Sequence, residues 1–152
     1  MCVTGGPCSG VTTAIASLSS VLTKHSFKVF TVPDADQIIS KGGASLKNFK
    51  LPFYQKVRFL IHNMQMQMDL EDTFVDMAQD CDCPSIIICE GGIMDFKAYI
   101  ETNKTWQAVL GETGWSNLTL RDMRYDSVIH LVTAAEGASD FFTNDPSHHG
   151  SY

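Results

Sequence analysis

Hydrophobic and polar positions follow two different periods along this chain. Apolar residues recur every three or four positions over 12–25 and 54–79, which is the spacing of one helical face. The second of these segments contains neither Gly nor Pro and predicts the longest helix. Pro33 is placed to occupy the first position of another helix. Shorter helices are predicted over 34–40, 94–100 and 106–110.

Short apolar runs separate these helices and predict strands over 1–4, 28–32, 85–90 and 127–132. The run over 85–90 is continuous and rich in β-branched residues, as expected of a strand buried on both faces. Strands that alternate with long helices require crossover connections, so the sequence predicts an α/β fold with a three-layer, doubly wound parallel sheet. The first strand is short for a buried strand, which predicts a domain that lacks residues at its start.

Length and composition fit one domain with its own core, since 44% of the 152 residues are hydrophobic. We therefore predict a single domain over 1–152. Lys and Arg number 11 against 17 Asp and Glu, the net charge is −6, and no basic run is present. Nucleic acid is an unlikely class of partner on this balance, because clustered cations bind the phosphate backbone. No apolar stretch approaches the roughly 20 residues of a membrane span.

The five cysteines are an odd and sparse set, which indicates a reducing compartment rather than a disulfide framework. No secretory leader is visible, so we predict a cytoplasmic protein. Cys81 and Cys83 are one residue apart and have no second Cys or His pair at zinc-site spacing, which argues against a zinc site. His148 and His149 lie in a polar tail and are predicted to be solvated.

A glycine-rich loop follows the first strand and fits the phosphate-binding pattern G-x-x-x-x-G-K-[ST] except at one position. Gly5, Gly10 and Thr12 occupy their places, but Val11 stands where the lysine belongs. Such a loop binds phosphate because glycines let backbone N–H groups converge, while the following helix adds its unpaired first-turn donors. The candidate nucleotide-binding residues are Gly5, Gly6, Pro7, Cys8, Ser9, Gly10, Val11, Thr12 and Thr13.

The missing lysine bears on catalysis more than on binding. A lysine at this position bridges the β- and γ-phosphates and offsets the charge that develops during transfer. Its loss removes about 3 kcal/mol of transition-state stabilisation, or about a hundredfold in rate. Glycine-rich turns between a strand and a helix also occur in α/β proteins that bind no ligand, so the loop alone leaves both interpretations open.

A second candidate group closes the strand over 85–90. Ligands of doubly wound sheets bind at the carboxyl ends of the strands, so Glu90 is aimed at the place where a metal-bound phosphate would lie. Thr12 and Glu90 are the candidate groups for Mg²⁺, the threonine through its hydroxyl and the glutamate through water. The alternative for Glu90 is a carboxylate that leaves the strand into solvent.

Several motifs together resemble the NadR-like P-loop ATPases, and most closely the N-terminal domain of the TRPL translocation defect proteins. The loop resembles G-G-P-C-S-G-K-T-T-A, and residues 32–35 resemble V-P-E-A. Residues 88–95 resemble I-C-D-R-G-x-M-D, and residues 130–138 resemble H-L-V-T-A-A-x-G-A. The resemblance implies a domain that binds ATP or GTP with Mg²⁺, and for the translocation defect proteins it also implies phosphoinositide binding in membrane-protein trafficking.

Two of the three departures from the family pattern remove a positive charge. Val11 replaces the lysine, Glu90 replaces an aspartate, and Gly91 replaces an arginine, whereas Thr12 and Asp95 match. The family's later arginine-bearing lid and last part of the sheet would lie after residue 152, so a domain truncated at both ends is expected. Lys41 and Lys97 are the candidate replacements for the missing cations.

Three functions remain open. The first is a nucleotide-binding domain with little or no turnover, and the second is a non-catalytic scaffold subunit of a larger assembly. The third is an active NTPase or small-molecule kinase that takes its lysine from elsewhere. Methionines in the longest helix offer a docking surface for the second function, but Met64 and Met68 lie four apart on its apolar face, which favours core packing.

Overall fold

The computed structural model describes residues 1–45, 51–98, 100 and 102–133. Four strands form one parallel sheet in the order β2-β3-β1-β4. They are β1 (Cys2–Gly5), β2 (Lys28–Val32), β3 (Ser85–Glu90) and β4 (Val128–Leu131). The predicted parallel sheet is confirmed, and each predicted strand agrees with the structure to within one residue at either end.

Helices cover both faces of the sheet, as the prediction of a three-layer, doubly wound fold requires. They are α1 (Val11–Lys24), α2 (Ala35–Lys41), α3 (Phe53–Gln79), α4 (Asp95–Ala98) and α5 (Asn103–Thr113). A π-helical turn follows at Leu118–Asp122. Helix α1 packs against β1, β2 and β3. Helix α3 packs against β2 and β3, and α2 and α5 pack against α3. Within the described ranges, no helix is both long and apolar enough to cross a membrane.

Three helix predictions differ from the structure. In the described part of the segment 94–100, the helix α4 has four residues, while the helix predicted over 106–110 extends to the eleven residues of α5. Pro33 does not begin α2, because the Asp34 side chain accepts a hydrogen bond from Asp36 N and caps the helix one residue later. The π-helical turn has no counterpart among the predictions. Residues 134–152, with His148, His149 and the end of the 130–138 motif, lie outside the described residues.

The buried apolar residues form two clusters. Val3 and Ile88 face α1 and pack with Ile15. The opposite cluster lies between α3, α4 and α5 and contains Val57, Leu60, Met64, Met68, Ile93, Phe96, Trp106, Val109 and Leu120. Met64 and Met68 are buried here, which confirms their assignment to the core, whereas Met77 is 53% exposed.

The strand order places a crevice between β1 and β3. The connection after β1 runs over the α1 face towards β2, whereas the connection after β3 passes through α4 and α5 towards β4. Neighbouring strands whose connections leave in opposite directions form the usual ligand-binding crevice at their carboxyl ends. Val3 pairs with Glu90 in the register, so the end of β3 lies directly beside the glycine-rich loop.

Candidate nucleotide-binding site

The glycine-rich loop turns tightly between β1 and α1. Ser9 N donates to Gly6 O at 3.2 Å, and both Cys8 and Gly10 adopt left-handed backbone conformations, with φ of 57° and 81°. Gly10 is the N-cap of α1 and supplies no side chain to cap it. The first-turn N–H groups of α1 therefore have no side-chain cap, and they lie at the positive end of the helix dipole.

Close packing at the start of the loop explains why residue 5 is a glycine. A Cβ at this position would lie 2.7 Å from Leu131 O on β4 and would also collide with Ser9 Oγ. The Ser9 hydroxyl itself is buried and has no hydrogen-bond partner among the described residues. A buried hydroxyl without a partner is costly unless a ligand or water satisfies it, so its position in the loop fits a phosphate oxygen.

Val11 is half-buried and packs against the cluster formed by Val3, Ile15 and Ile88. Its side chain therefore adds to the packing between α1 and the sheet. A valine has no charge or donor, so position 11 can offer a phosphate only its backbone N–H. Position 11 therefore brings no cation to the glycine-rich loop.

Side-chain hydrogen bonds join β1 and the first turn of α1 to the end of β3 and the turn after it. Thr12 Oγ1 donates to Glu90 Oε1 at 2.8 Å, which brings the two candidate magnesium groups together. The Thr4 hydroxyl lies 2.7 Å from both carboxylate oxygens of Asp95, and Gly92 N donates to Asp95 Oδ2 at 3.0 Å. Asp95 thereby links β1 to the turn after β3.

A cavity of about 1330 Å³ opens at this edge of the sheet. Its floor is the glycine-rich loop with Glu90 and Asp95, and its far wall is formed by α2 and α3. All nine candidate nucleotide-binding residues and both candidate magnesium groups line it. The tertiary structure thus gathers the predicted site residues in one crevice.

A model of the AAA domain family matches residues 1–148. The chain belongs to the AAA domain family. AAA domains are P-loop NTPase domains that generally bind a nucleotide with Mg²⁺, which agrees with the position of the loop and the crevice. No curated protein and no solved structure matches the sequence.

Carboxylates dominate the charge at the mouth of the crevice in this AAA domain. Asp34 lies between β2 and α2, as the N-cap of α2, and lines the cavity. The pKa of the Asp34 carboxyl is raised to about 6, mainly by burial. The Asp36 N–H lowers this pKa, and the charges of Asp36, Glu90 and Asp95 add to the increase. The crevice therefore carries more negative charge at neutral pH than at pH 5.

The cations near the crevice only partly match the prediction. Lys41 lines the cavity of the AAA domain, as predicted. Lys97 points elsewhere, because its Nζ lies 5.8 Å from the centroid of the Trp106 ring. Lys56, which the sequence analysis did not identify, lines the far wall. Helical spacing was the sequence signal that could have placed Lys56 at the cavity, since Lys56 shares a face of α3 with Leu60 and other lining residues.

Sequence analysis also missed a buried polar chain that supports both sides of the crevice. Gln67 Oε1 accepts from Ala35 N at 2.8 Å, and Gln67 Nε2 donates to Glu71 Oε1 at 3.1 Å. Tyr125 OH donates to the same Glu71 oxygen at 2.8 Å and accepts from Ile93 N at 3.0 Å. Burial, and after it the charge of Glu71, raises the pKa of Tyr125, so the phenol keeps the proton that it donates.

Proposed function

We propose that this AAA domain binds ATP or GTP through residues 5–13 and turns it over weakly or not at all. The observation that carries the proposal is the hydrogen bond between Thr12 and Glu90, which lies beside the loop and joins a hydroxyl to a strand-end carboxylate. Mg²⁺ in such sites uses one or two carboxylates together with phosphate oxygens and waters. Thr12 and Glu90 are the groups of this chain that would hold the ion.

Binding rests on the backbone. The first-turn amides of α1, the left-handed Gly10 and the unpartnered Ser9 hydroxyl supply donors for phosphate oxygens. None of these donors depends on the missing lysine. When bound, Mg²⁺ would neutralise part of the phosphate charge beside Glu90 and so offset part of the repulsion from the carboxylates.

Low turnover follows from charge. Val11 leaves the loop without the cation that stabilises the transferring phosphoryl group, and Gly91 leaves the turn after β3 without the arginine of the family pattern. Asp34, Glu90 and Asp95 add negative charge to the same crevice. The domain is therefore proposed to be a pseudoenzyme that retains its ligand.

Two alternatives have support of their own. Val128 on β4 is 55% exposed and Val132 is 71% exposed, which favours a scaffold whose partner covers the β4 edge. Lys41 and Lys56 line the cavity, which favours an active NTPase or small-molecule kinase that takes its cation from α2 or α3. Both rank below nucleotide binding, because the scaffold makes no use of the loop and its neighbour Glu90, and the active enzyme needs a cation from outside the loop.

The finer family assignment is also a proposal. Motifs over 5–14, 32–35 and 88–95 support a NadR-like member related to the TRPL translocation defect domain. That relation extends the proposed ligands to GTP and phosphoinositides. Cys2, Cys81, Cys83 and Cys89 are free thiols, which supports a reducing, cytoplasmic location.

Equilibrium dialysis with labelled ATP and GTP, with and without Mg²⁺, tests the proposal. We expect a dissociation constant well below about 1 mM for at least one nucleotide, tighter with Mg²⁺, and no hydrolysis above background. Gly5→Ala should weaken binding at least about tenfold because its Cβ displaces Ser9, whereas Gly111→Ala should not, since a Cβ there meets nothing within 4 Å. Failure of both nucleotides to bind at millimolar concentration would leave only the scaffold, and hydrolysis by the unaltered chain would overturn the low turnover.

A further inference from the structure

Strand β4 lies at one edge of the sheet, and its outer side has no strand beside it among the residues that the structure describes. Cys2 N donates to Ser127 O at 2.9 Å, so Ser127 directs its backbone carbonyl towards β1. Backbone groups of successive strand residues point to opposite sides, and therefore Val128 and His130 direct their N–H and C=O groups away from β1. These two residues offer donors and acceptors to a further strand.

The side chains along this edge are mostly aliphatic and exposed. Val128 is 55% exposed, Ile129 is 38% exposed, and Val132, directly after the strand, is 71% exposed. Proteins usually protect an edge strand with lysine, proline or a bulge. Residues 127–133 contain neither lysine nor proline, and His130 is their only ionisable side chain. The β4 edge can therefore accept another strand through backbone pairing.

The sequence of this edge matches itself when it is read in the opposite direction. From Val128 to Val132 it reads Val-Ile-His-Leu-Val, with aliphatic residues on both sides of His130. Two copies paired antiparallel about a two-fold axis at His130 place Val128 opposite Val132 of the second copy. The same axis places Ile129 opposite Leu131. Cross-strand aliphatic pairs stabilise a sheet, so this register favours a second copy as the partner.

The backbone geometry permits this register. Because His130 directs its N–H and C=O groups outwards, two copies of this residue that face each other can exchange both hydrogen bonds. A two-fold axis one residue away, at Ile129 or Leu131, would also fit the backbone. Either of these axes would place His130 opposite a valine. The axis at His130 is favoured because it pairs aliphatic side chains with one another.

We propose that two copies of this chain dimerise through antiparallel pairing of their β4 strands, with the two-fold axis at His130. The partner that covers the β4 edge is thus a second copy of the domain, and the two sheets become continuous. The dimer does not depend on the proposed nucleotide binding, because β4 lies on the far side of β1 from the crevice. The paired segment is short, so the dimer is a weak one, with a dissociation constant on the order of 10 µM.

Sedimentation equilibrium of the full chain, over about 1–500 µM, measures this association. His130→Lys should weaken it at least about tenfold, because two like charges then face each other at the axis. His130→Glu should weaken it to a similar extent for the same reason. An equimolar mixture of the two variants should associate within about threefold of the unaltered affinity, since a lysine then faces a glutamate.

His25→Lys is the matched control. His25 is also exposed but lies at the C-cap of α1, so this change should leave the dissociation constant within about twofold of the unaltered value. Thermal unfolding of each variant shows whether the substitutions act on association or on folding. His130 is exposed, so we expect the variants at this position to fold as the unaltered chain does.

A chain that stays monomeric up to about 500 µM would overturn the proposal and assign the β4 edge to another segment or another protein. Association that His130→Lys leaves unchanged would also overturn it, and a mixture that shows no recovery would overturn the axis at His130. Dimerisation of a chain that binds neither ATP nor GTP would support this inference while the proposed function fails. A monomer that binds nucleotide would give the reverse result.

Discussion

Thr12 Oγ1 donates a hydrogen bond to Glu90 Oε1 across 2.8 Å, joining the first turn of α1 to the end of β3. The two residues are 78 positions apart in sequence, and the parallel pairing of β1 with β3 brings them together. A hydroxyl and a carboxylate so placed can share a magnesium ion with a bound phosphate.

Removing the Thr12 hydroxyl should abolish most of the effect of Mg²⁺ on nucleotide affinity. Thr12→Val keeps the shape of the side chain but loses the oxygen, so Mg²⁺ should improve nucleotide affinity by no more than about threefold in the variant. Affinity without Mg²⁺ should stay within about twofold of the unaltered protein, because the backbone donors are intact. Titration calorimetry with and without Mg²⁺ measures both quantities.

Thr23→Val provides the control, since the Thr23 hydroxyl donates to Ser19 O on the exposed side of the same helix. An undiminished response of Thr12→Val to Mg²⁺ would show that the ion does not use this hydroxyl.

Restoring the missing cation should strengthen triphosphate binding. Val11→Lys places an ammonium at the loop, and we expect about tenfold tighter ATP or GTP binding, together with hydrolysis at least about tenfold above the unaltered protein. The exchange also removes Val11 from the α1 cluster, at a cost of about 1 kcal/mol in stability. Steady-state phosphate release and thermal unfolding measure the two effects.

Val21→Lys adds the same charge to α1 at a position that is 51% exposed, so it separates a local effect from a change in net charge. Equal gains in the two variants would contradict a role for position 11.

Asp34 should make the stability of the domain depend on pH. Its folded-state pKa of about 6 lies above the ordinary value of 3.8, so the protonated carboxyl stabilises the fold below pH 4 and this contribution is lost as the pH rises through 6. Asp34→Asn keeps a helix-capping side chain but cannot ionise. The variant should therefore be more stable than the unaltered protein at pH 7, by on the order of 1–2 kcal/mol, with the difference vanishing near pH 4.

Urea denaturation at several pH values measures this difference. A constant difference between the two proteins from pH 4 to 7 would show that Asp34 does not titrate in this range.

The two acidic partners of Arg124 should differ strongly in their contribution to stability. Glu71 is paired with Arg124 inside the protein, with side chains 6% and 18% exposed, whereas the Asp72 side chain is 69% exposed. Glu71→Ala should lower the free energy of unfolding by about 3–5 kcal/mol, because it also removes the acceptor of Gln67 and Tyr125. Asp72→Ala should lower it by less than about 1 kcal/mol. Urea denaturation of both variants at pH 7 measures the costs, and similar values would contradict the burial argument.

The sequence by itself determined the elements and the loop. Apolar spacing and the placement of Gly and Pro are local properties, so the strands and α3 could be located to within a residue or so at their ends. The glycines around Val11 also predicted a phosphate-binding loop without its lysine. Short helices were less predictable, because α4 and the π-helical turn depend on contacts with α3 rather than on their own periodicity.

Only the tertiary structure decided which side chains meet. The strand order put Glu90 beside Thr12 and Asp95 beside Thr4, directed Lys97 to Trp106 instead of the cavity, and brought Lys56 to its wall. Burial then gave Asp34 its raised pKa and left Asn63 Oδ1 without a partner among the residues that the structure describes. These properties depend on register, crossover direction and exclusion of water, which arise between segments far apart in the chain and leave no local pattern in the sequence.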